Sequence, residues 1–258
     1  MGLTTQFRDM RLLPLSILIC VLLFVSCQHK SNSRVLRLAH GLDQSHSVHK
    51  ALELLGERLA EQSDSQLIVE IYPNQQLGTE RECLELLQIG SIDITKASGA
   101  VLENFVDDYR VLSLPYLFRD KAHQFKVLDG PIGEDLLSAG IPFWLQGLGF
   151  YDSGSRSFYT KEKPVRAPAD LKGLNIRTQE SPTAMAMVNV MGGSATPLSF
   201  GELYTALQAG IVDGAENNPP SFYLTRHYEV CKFYSIDEHT SIPDVVLIST
   251  MTWNSLSE

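Results

Sequence analysis

The sequence predicts an α/β fold, and three observations lead to this class. From Val35 onward, short β-branched runs alternate with segments whose apolar residues recur at helical spacing. Eighteen glycines and twelve prolines separate these segments. The composition of the 258 residues, 44% hydrophobic and 20% charged, is that of a globular protein and excludes collagen-like, coiled-coil and wholly disordered chains. Such alternation is typical of parallel strands covered by helices.

The first 26 residues are interpreted as an export signal. Two arginines precede an apolar run at residues 12–25 that is too short to cross a bilayer comfortably. The run ends at Phe24-Val25-Ser26-Cys27, which resembles the lipobox of bacterial lipoproteins. We therefore expect cleavage before Cys27, lipidation of Cys27, a tether over residues 27–33 and a location in the periplasm or cell envelope. An ordinary cleaved signal without lipidation is the alternative.

Strand and helix signals alternate through the first part of the chain. The expected elements are a strand at 35–40, a helix with apolar spacing from Val48 and Ser45 or Ser47 as N-cap, a strand at 66–72, a helix at 80–89 ended by Gly90, and a strand at 92–97. They are followed by an apolar connector at 111–118, one helix over about 121–139 and a strand near 143–151. Helices between successive strands are what a layered α/β architecture requires.

The second part of the chain continues the same alternation. The expected elements are a strand at 155–160, a helical turn at 168–173, a strand at 174–178, a helix at 182–191 with Ser181 as N-cap, a helix at 199–209 closed by Gly210, a strand at 211–215 and a β-branched run at 244–253. The last four residues, Ser255 to Glu258, have the S-x-x-E form of a helix start. We therefore expect a chain truncated at its C-terminus, with a frayed tail as the alternative.

Several function classes are disfavoured by what the sequence lacks. The formal charge of −9 leaves no basic surplus for nucleic-acid binding. No G-x-G-x-x-G, P-loop, H-E-x-x-H, C-x-x-C or G-x-S-x-G motif occurs. We therefore expect no catalytic residue, no cofactor and no enzymatic activity, although an exported enzyme is kept as a rival hypothesis.

Histidine and cysteine positions give weaker signals. His40, His46 and His49 are spaced such that they would surround a metal ion, but no nearby cysteine or carboxylate completes a ligand set, so we expect no metal site. A metal-binding lipoprotein is the corresponding rival hypothesis. Cys83 and Cys231 remain after signal removal, and we expect free thiols rather than a disulfide because Cys83 lies in an apolar helical pattern.

Arg177 is the candidate anion-binding residue. It lies at the carboxyl end of a predicted strand, where open α/β sheets place ligands. The helix start at Ser181-Pro182 follows, and free N–H groups at helix starts favour anions. A guanidinium offers a planar fork that matches a carboxylate. The alternative is a structural ion pair with one of the many acids.

A second strand end adds amide groups to this candidate site. The strand at 211–215 runs into Asn217 and Asn218, whose amides are suited to hydroxyls or a carboxylate oxygen. A helix cap before Pro219 is the alternative, and it is the favoured role of Asn218. Arg156 opens another strand and supplies a second cation, unless it is a surface residue.

Several runs of residues together resemble one known family. They are Leu171–Arg177, Gly192–Leu198, Glu202–Gln208 and Val212–Asn217, with Gln76-Leu77-Gly78 and Leu114–Phe118 upstream. From Val35 to Glu258 the chain is similar to the extracytoplasmic solute-binding proteins of TRAP transporters, the DctP-like family.

This resemblance implies a two-lobed clamshell of the periplasmic-binding-protein type, type II-like, with mixed sheets flanked by helices. Lobe I is expected to comprise residues 34–153 plus 243–258, and lobe II residues 154–242. The implied partners are an organic acid and the integral-membrane subunits of a TRAP transporter, with the protein monomeric and lipid-anchored through Cys27.

The resemblance also implies roles for individual residues. Arg177 pairs with the substrate carboxylate, assisted by Arg156 and Asn217, and Phe200 flanks the ligand. From lobe I, residues Glu80, His40 and Ser98 face the cleft, Ser98 standing where some members carry an acid, and Asn218 completes the set of expected substrate-binding residues.

The runs at 151–159 and 216–223 most resemble the branch of the family that takes sugar acids. The predicted ligand is therefore a hexuronate, glucuronate or galacturonate. A four-carbon dicarboxylate or an aldonate is the alternative ligand, and a sensory rather than transport role is the alternative use of the same fold.

Overall fold

The computed structural model describes residues 33–256. The predicted signal peptide, the lipidation site Cys27 and the tether as far as residue 32 lie outside the described residues, as do the last two residues of the expected helix start. In the described part of the chain, no helix is both long and apolar enough to cross a membrane.

Within residues 33–256 the chain forms ten strands and nine α-helices. The strands are β1 (Arg34–Ala39), β2 (Leu67–Tyr72), β3 (Ile94–Ser98), β4 (Leu145–Tyr151), β5 (Arg156–Thr160), β6 (Asn175–Thr178), β7 (Ser194–Pro197), β8 (Gly214–Asn217), β9 (Phe233–Thr240) and β10 (Asp244–Ser249). The helices are α1 (Ser47–Gln62), α2 (Glu80–Gln88), α3 (Gly99–Leu102), α4 (Lys121–Leu128), α5 (Pro131–Ala139), α6 (Pro182–Val190), α7 (Leu203–Ala209), α8 (Pro219–Leu224) and α9 (Thr250–Ser255). Short 3₁₀ segments lie at Asp107–Ser113, Ile141–Phe143, Pro168–Leu171 and His227–Glu229.

The first sheet has the strand order β2-β1-β3-β10-β4. Strand β1 is parallel to β2 and β3, whereas β10 is antiparallel to both of its neighbours. Every residue of β10 is buried, and its four aliphatic side chains alternate between two apolar clusters. Val245 and Leu247 pack with helix α2 in one cluster, and Val246 and Ile248 pack with helix α1 in the other.

The second sheet has the order β7-β6-β8-β5-β9. Strand β6 is parallel to β7 and β8, and β5 is antiparallel to β8 and β9. Tyr159 and Phe158, adjacent on β5, point into two different apolar clusters on opposite faces of the sheet. The chain passes from the first sheet to the second between β4 and β5, and returns between β9 and β10.

Two mixed sheets with flanking helices confirm the predicted two-lobed α/β fold. Strand–helix alternation alone predicts purely parallel sheets, and this prediction is wrong. Strands β4 and β10 are antiparallel neighbours, and so are β5 and β9. Strand β9, with the polar sequence FYSIDEHT, was not predicted, since it lacks a continuous apolar face.

The single helix expected over 121–139 is two helices. Pro131 occupies the first turn of α5 and lacks the N–H that would continue α4. Gly133 lets the two helices approach closely, because a Cβ atom there would lie 1.7 Å from the carbonyl oxygen of Leu128. The break is therefore fixed by a proline and a close backbone contact.

Two predicted helix starts are also wrong. Helix α1 is capped by the ring of His46, whose Nδ1 accepts from the backbone N–H of Val48 at 3.2 Å, rather than by Ser45 or Ser47. The β-branched run after Asp244 turns at Ser249, which caps α9, and Ser255 is the last residue of that helix rather than the N-cap of a new one.

Cys83 and Cys231 are free and buried, as predicted. Burial raises the pKa of the Cys83 thiol to about 11 and that of the Cys231 thiol to about 12. Both therefore act as small apolar side chains in the two lobes.

Candidate functional site

A cleft between the two sheets collects most of the predicted site residues. It encloses about 620 Å³ of space free of protein atoms, its open mouth included. The second sheet contributes Arg156, Arg177, Asn217 and Asn218, and the segment after β7 contributes Phe200. Strands β6 and β8 end at this edge, and the antiparallel β5 begins there, so three strand termini place their polar side chains together.

Arg177 is buried in the cleft wall, and its guanidinium is only partly hydrogen-bonded within the described residues. Its Nε and Nη2 donate to the carbonyl oxygen of Leu198 at 2.9 Å and 2.7 Å, which fixes the plane of the fork. Its Nη1 is buried and has no hydrogen-bond partner within the described residues. In the same part of the chain, no carboxylate oxygen lies within salt-bridge distance of Arg177. The structural ion pair weighed as an alternative is therefore not formed.

Burial shifts the pKa of Arg177 below its usual value, since desolvation disfavours the charged form. An arginine remains charged at neutral pH even so. Within the described residues, the hydrogen-bond partner of this desolvated cation is a neutral carbonyl, an arrangement suited to an external anion.

Arg156 has a different environment. Its Nε and Nη2 donate to the carboxylate of Glu216, the Nη2–Oε1 distance being 2.9 Å, and its Nη1 donates to Oδ1 of Asn217 at 3.0 Å. Burial alone would raise the pKa of Glu216, but the adjacent guanidinium lowers it to about 2. Arg156 lines the cleft and is not a surface residue, but its charge is neutralised within the protein by Glu216, which sequence reasoning did not single out.

The two asparagines have separate roles. Asn217 Oδ1 accepts from Arg156 and, at 2.8 Å, from the backbone N–H of Asn218. Asn218 Oδ1 caps helix α8 by accepting from the backbone N–H of Ser221 at 2.8 Å, the role favoured from sequence. Both side chains are oriented by these bonds at the cleft edge.

Phe200 lies at the cleft and connects the lobes. Its half-buried ring packs against the apolar cluster of helix α1 in the first lobe, although it belongs to the second. The ring therefore supplies an apolar face beside the polar groups described above.

The wall contributed by the first sheet carries three charges. Glu80, the first residue of α2, lines the cleft as expected, and its Oε1 lies 2.6 Å from Nζ of Lys96. Lys96 also lies 3.2 Å from Oδ1 of Asp244. Burial would lower the pKa of Lys96, but the carboxylates of Asp244 and Glu80 raise it above its usual value. Lys96 and Asp244 were missed from sequence, where each lies in an apolar strand far from its partner.

His40 and Ser98, which were expected to face the cleft, are not among the residues that line it. His40 is buried behind the wall, where its Nε2 lies 2.9 Å from Nδ1 of His49 and its Nδ1 accepts from the backbone N–H of Leu42. Ser98 caps α3, and its hydroxyl lies 3.4 Å from Oε1 of Gln179, a cleft residue of the second lobe.

His46 occupies the cleft wall instead of His40. Burial and the charge of Lys96 lower the pKa of His40 to about 3 and that of His46 to about 4, so both rings are neutral at pH 7. Among the described residues no group of three or more histidine, cysteine, aspartate or glutamate side chains is arranged to hold a metal ion.

A polar contact beside the cleft joins the lobes, and we name it the Glu103 contact. Oε1 of Glu103, just after α3, accepts from the hydroxyl of Ser181 at 2.8 Å and from the backbone N–H of Thr183 at 2.9 Å. Asn104 donates to the carbonyl of Glu180 at 2.6 Å. These bonds hold the segment that follows Arg177 against the first lobe.

Comparison with known proteins shows that this chain is similar to bacterial extracellular solute-binding proteins. The family model for bacterial extracellular solute-binding proteins of family 7 (DctP) matches residues 38–258. Protein YiiZ of Salmonella typhimurium is 41% identical over 86% of this chain and 68% of its own length. Curated relatives are longer than this chain, which spans between 62% and 68% of the length of three of them.

Solved structures are similarly close. A TRAP periplasmic solute-binding protein from a Bradyrhizobium species, crystallised with α/β-D-galacturonate, is 44% identical with a TM-score of 0.85, covering 87% of this chain and 75% of that one. A second, from Anaerococcus prevotii with bound α/β-D-glucuronate, is 40% identical with a TM-score of 0.85, covering 87% and 73%.

Proposed function

The chain belongs to family 7 of the bacterial extracellular solute-binding proteins, the DctP family, and from this premise we propose that it captures a hexuronate outside the cytoplasm and delivers it to the membrane subunits of a TRAP transporter. The observation that carries the proposal is the buried guanidinium of Arg177, which has an unpartnered Nη1 and no internal anion in the described chain. In this proposal the carboxylate of the ligand is the counter-ion of Arg177.

The expected strength of this contact is appropriate for a binding protein. A hydrogen bond to a charged group contributes about 1.5–3 kcal/mol. Micromolar affinity corresponds to about 8 kcal/mol. The carboxylate contact therefore supplies a large share of the binding free energy, and hydroxyl contacts from the remaining cleft groups supply the rest.

The overall charge of −9 does not prevent anion capture. Exposed charges are screened beyond about 8 Å at physiological salt. Arg177 lies in the cleft itself and acts at contact distance, so the local cation outweighs the distant acids.

The other cleft groups favour a sugar acid. Amides and carboxylates are suited to several hydroxyls, and the half-buried ring of Phe200 offers an apolar surface to a sugar ring. The galacturonate-bound and glucuronate-bound structures, at 44% and 40% identity, support a uronate over the four-carbon dicarboxylate or aldonate alternatives.

Closure of the lobes, residues 34–153 plus 243–258 against 154–242, is the proposed switch. Ligand binding favours the closed form because only there do both walls contact the ligand, and the membrane subunits respond to that form. We further propose that the protein is a monomer held at the membrane by a lipid on Cys27, and that the ligand is released chemically unchanged.

Isothermal titration of the purified protein with D-glucuronate, D-galacturonate, D-erythronate and succinate tests the ligand class. We expect micromolar or tighter binding of at least one uronate and at least hundredfold weaker binding of succinate. Binding of succinate or erythronate without a uronate overturns the hexuronate proposal.

Arg177→Ala tests the anchor directly, with Arg58→Ala, at an exposed side chain, as the matched control. We expect at least hundredfold loss of uronate affinity in the first variant, wild-type affinity in the second, and native circular dichroism in both. Retained affinity in folded Arg177→Ala contradicts the proposed role, and Arg177→Lys, which keeps the charge without the fork, gives an intermediate loss.

A further inference from the structure

The first-sheet wall of the cleft carries Glu80, Lys96 and Asp244, which we name the acid-rich cluster. The Lys96 Nζ atom is 2.6 Å from one carboxylate and 3.2 Å from the other. The Lys96 side chain is 3% exposed and that of Asp244 is 5% exposed, yet all three residues line the cleft. Two carboxylates thus share one ammonium group at the surface of the cleft.

Sheet register fixes this arrangement. In the antiparallel pair β3–β10, Lys96 on β3 is opposite Val246 on β10. Asp244 lies two residues before Val246 on β10. Lys96 and Asp244 therefore lie on the same face as diagonal neighbours. Glu80 is held from the other side, since its Oε2 accepts from the backbone N–H of Ser98 at 3.3 Å. The cluster is built on strands and a helix start, so it keeps its geometry without a ligand.

The two walls differ in their balance of charge. On the second-sheet wall, Glu216 neutralises Arg156, and Arg177 has no acid within salt-bridge distance in the described chain. The partly exposed Glu180 also lines the cleft from this lobe but forms no ion pair with Arg177 in that part of the chain. On the first-sheet wall, one ammonium faces two carboxylates. The cleft therefore presents an unmatched cation on one wall and surplus carboxylate on the other.

From this asymmetry, and resting on the proposed function, we propose that the acid-rich cluster restricts the site to ligands with a single carboxylate. Its oxygens accept hydrogen bonds from hydroxyl groups at the end of the ligand remote from Arg177. A second carboxylate at that end has no proton to donate. It meets surplus negative charge in a desolvated site, because Lys96 offsets only one of the two carboxylates. Sugar acids with one carboxylate are accepted, and the corresponding diacids are rejected.

D-Glucuronate and D-glucarate provide the matched probes, since they share six carbons and glucarate carries a second carboxylate at C1. In titrations of the wild-type protein we expect glucuronate to bind at least hundredfold more tightly than glucarate. In Asp244→Asn this ratio is expected to fall at least tenfold, because the variant keeps the shape of the side chain and removes one charge.

Two further variants make the result specific. Asp108→Asn makes the same change at an exposed residue and is expected to leave the ratio unchanged. Glu80→Gln repeats the test at the other carboxylate, so the comparison does not depend on the folding of one variant. Glucuronate closes into a pyranose ring, whereas glucarate has no aldehyde and is acyclic. Because each variant is measured with the same two ligands, this difference cancels from the change in ratio.

Equal binding of glucuronate and glucarate by the wild-type protein overturns the inference while leaving the proposed function intact. An unchanged ratio in both folded cluster variants also overturns it. Failure of the wild-type protein to bind any uronate instead overturns the proposed function, and the inference with it.

Discussion

Arg156 and Arg177 are buried cations on neighbouring parts of one sheet, yet their surroundings differ. Arg156 is paired with a carboxylate that folds with it, whereas Arg177 rests on the carbonyl of Leu198 and has no acid beside it in the described chain. Burial alone therefore does not identify a binding residue. The distinguishing feature is whether the protein supplies the counter-ion itself or leaves it to a ligand.

The largest expected effect comes from removing the internal counter-ion. Glu216→Gln leaves Arg156 buried without its carboxylate, and breaking a buried pair in this way costs about 3–5 kcal/mol of stability. Urea unfolding of the ligand-free protein measures the loss. A change below about 1 kcal/mol would mean that Arg156 and Arg177 do not differ in the way described.

The second test applies the complementary change to Arg177. Arg177→Met is expected to alter the ligand-free unfolding free energy by less than about 1 kcal/mol, since it removes an uncompensated buried charge and fills the same space. In the wild-type protein, glucuronate at 100 times its Kd adds about 2.7 kcal/mol, and this gain disappears in the variant. Calorimetry with and without glucuronate gives both numbers, and a large ligand-free loss contradicts the comparison.

The pH dependence of stability is a third way to distinguish Arg156, which is paired with Glu216, from Arg177. The pKa of Glu216 is lowered to about 2, so its contribution to stability is full above its ordinary value near 4.5 and is lost as pH falls through about 2. Between these values one extra proton on the unfolded chain gives a slope of about 1.4 kcal/mol per pH unit. Glu216→Gln should remove that part of the slope measured by unfolding between pH 5 and pH 3, while Arg177→Met keeps it.

The smallest effect is expected at the Glu103 contact, which holds the segment after Arg177 and leaves Arg156 untouched. Glu103→Gln preserves its shape and weakens two charge-assisted hydrogen bonds, so we expect about 1 kcal/mol, a fivefold loss of uronate affinity. Glu134→Gln, at an exposed residue, is the control in the same titration. Unchanged affinity would show that the contact plays no part in closure.

Sequence reasoning located Arg177 and Asn217 because strand ends and local motifs are encoded by adjacent residues. It missed Lys96 and Asp244, since their pairing joins residues 148 positions apart in the sheet register. Glu216 was passed over beside the more conspicuous Asn217, although its position opposite Phe158 on β5 brings it to Arg156.

His40 and His46 illustrate a further limit. Both histidines precede the first helix and look alike in sequence, but His46 is drawn into the cleft wall as the cap of α1, and His40 at the end of β1 is buried behind it. Which ring faces the cleft depends on the direction in which the chain leaves β1. The spacing of the histidines in the sequence does not specify that direction. The split helix at Pro131 was predictable from the proline itself.

The position of β10 has a consequence for the order of assembly. All five strands of the second sheet lie between residues 156 and 240, whereas β10 enters the first sheet between β3 and β4 from residue 244. A polypeptide emerging from a translocation channel with its N-terminus first delivers the whole second lobe before this strand. The second lobe can therefore assemble before the first lobe is complete. Until β10 arrives, strands β3 and β4 of the first sheet each have an unpaired edge.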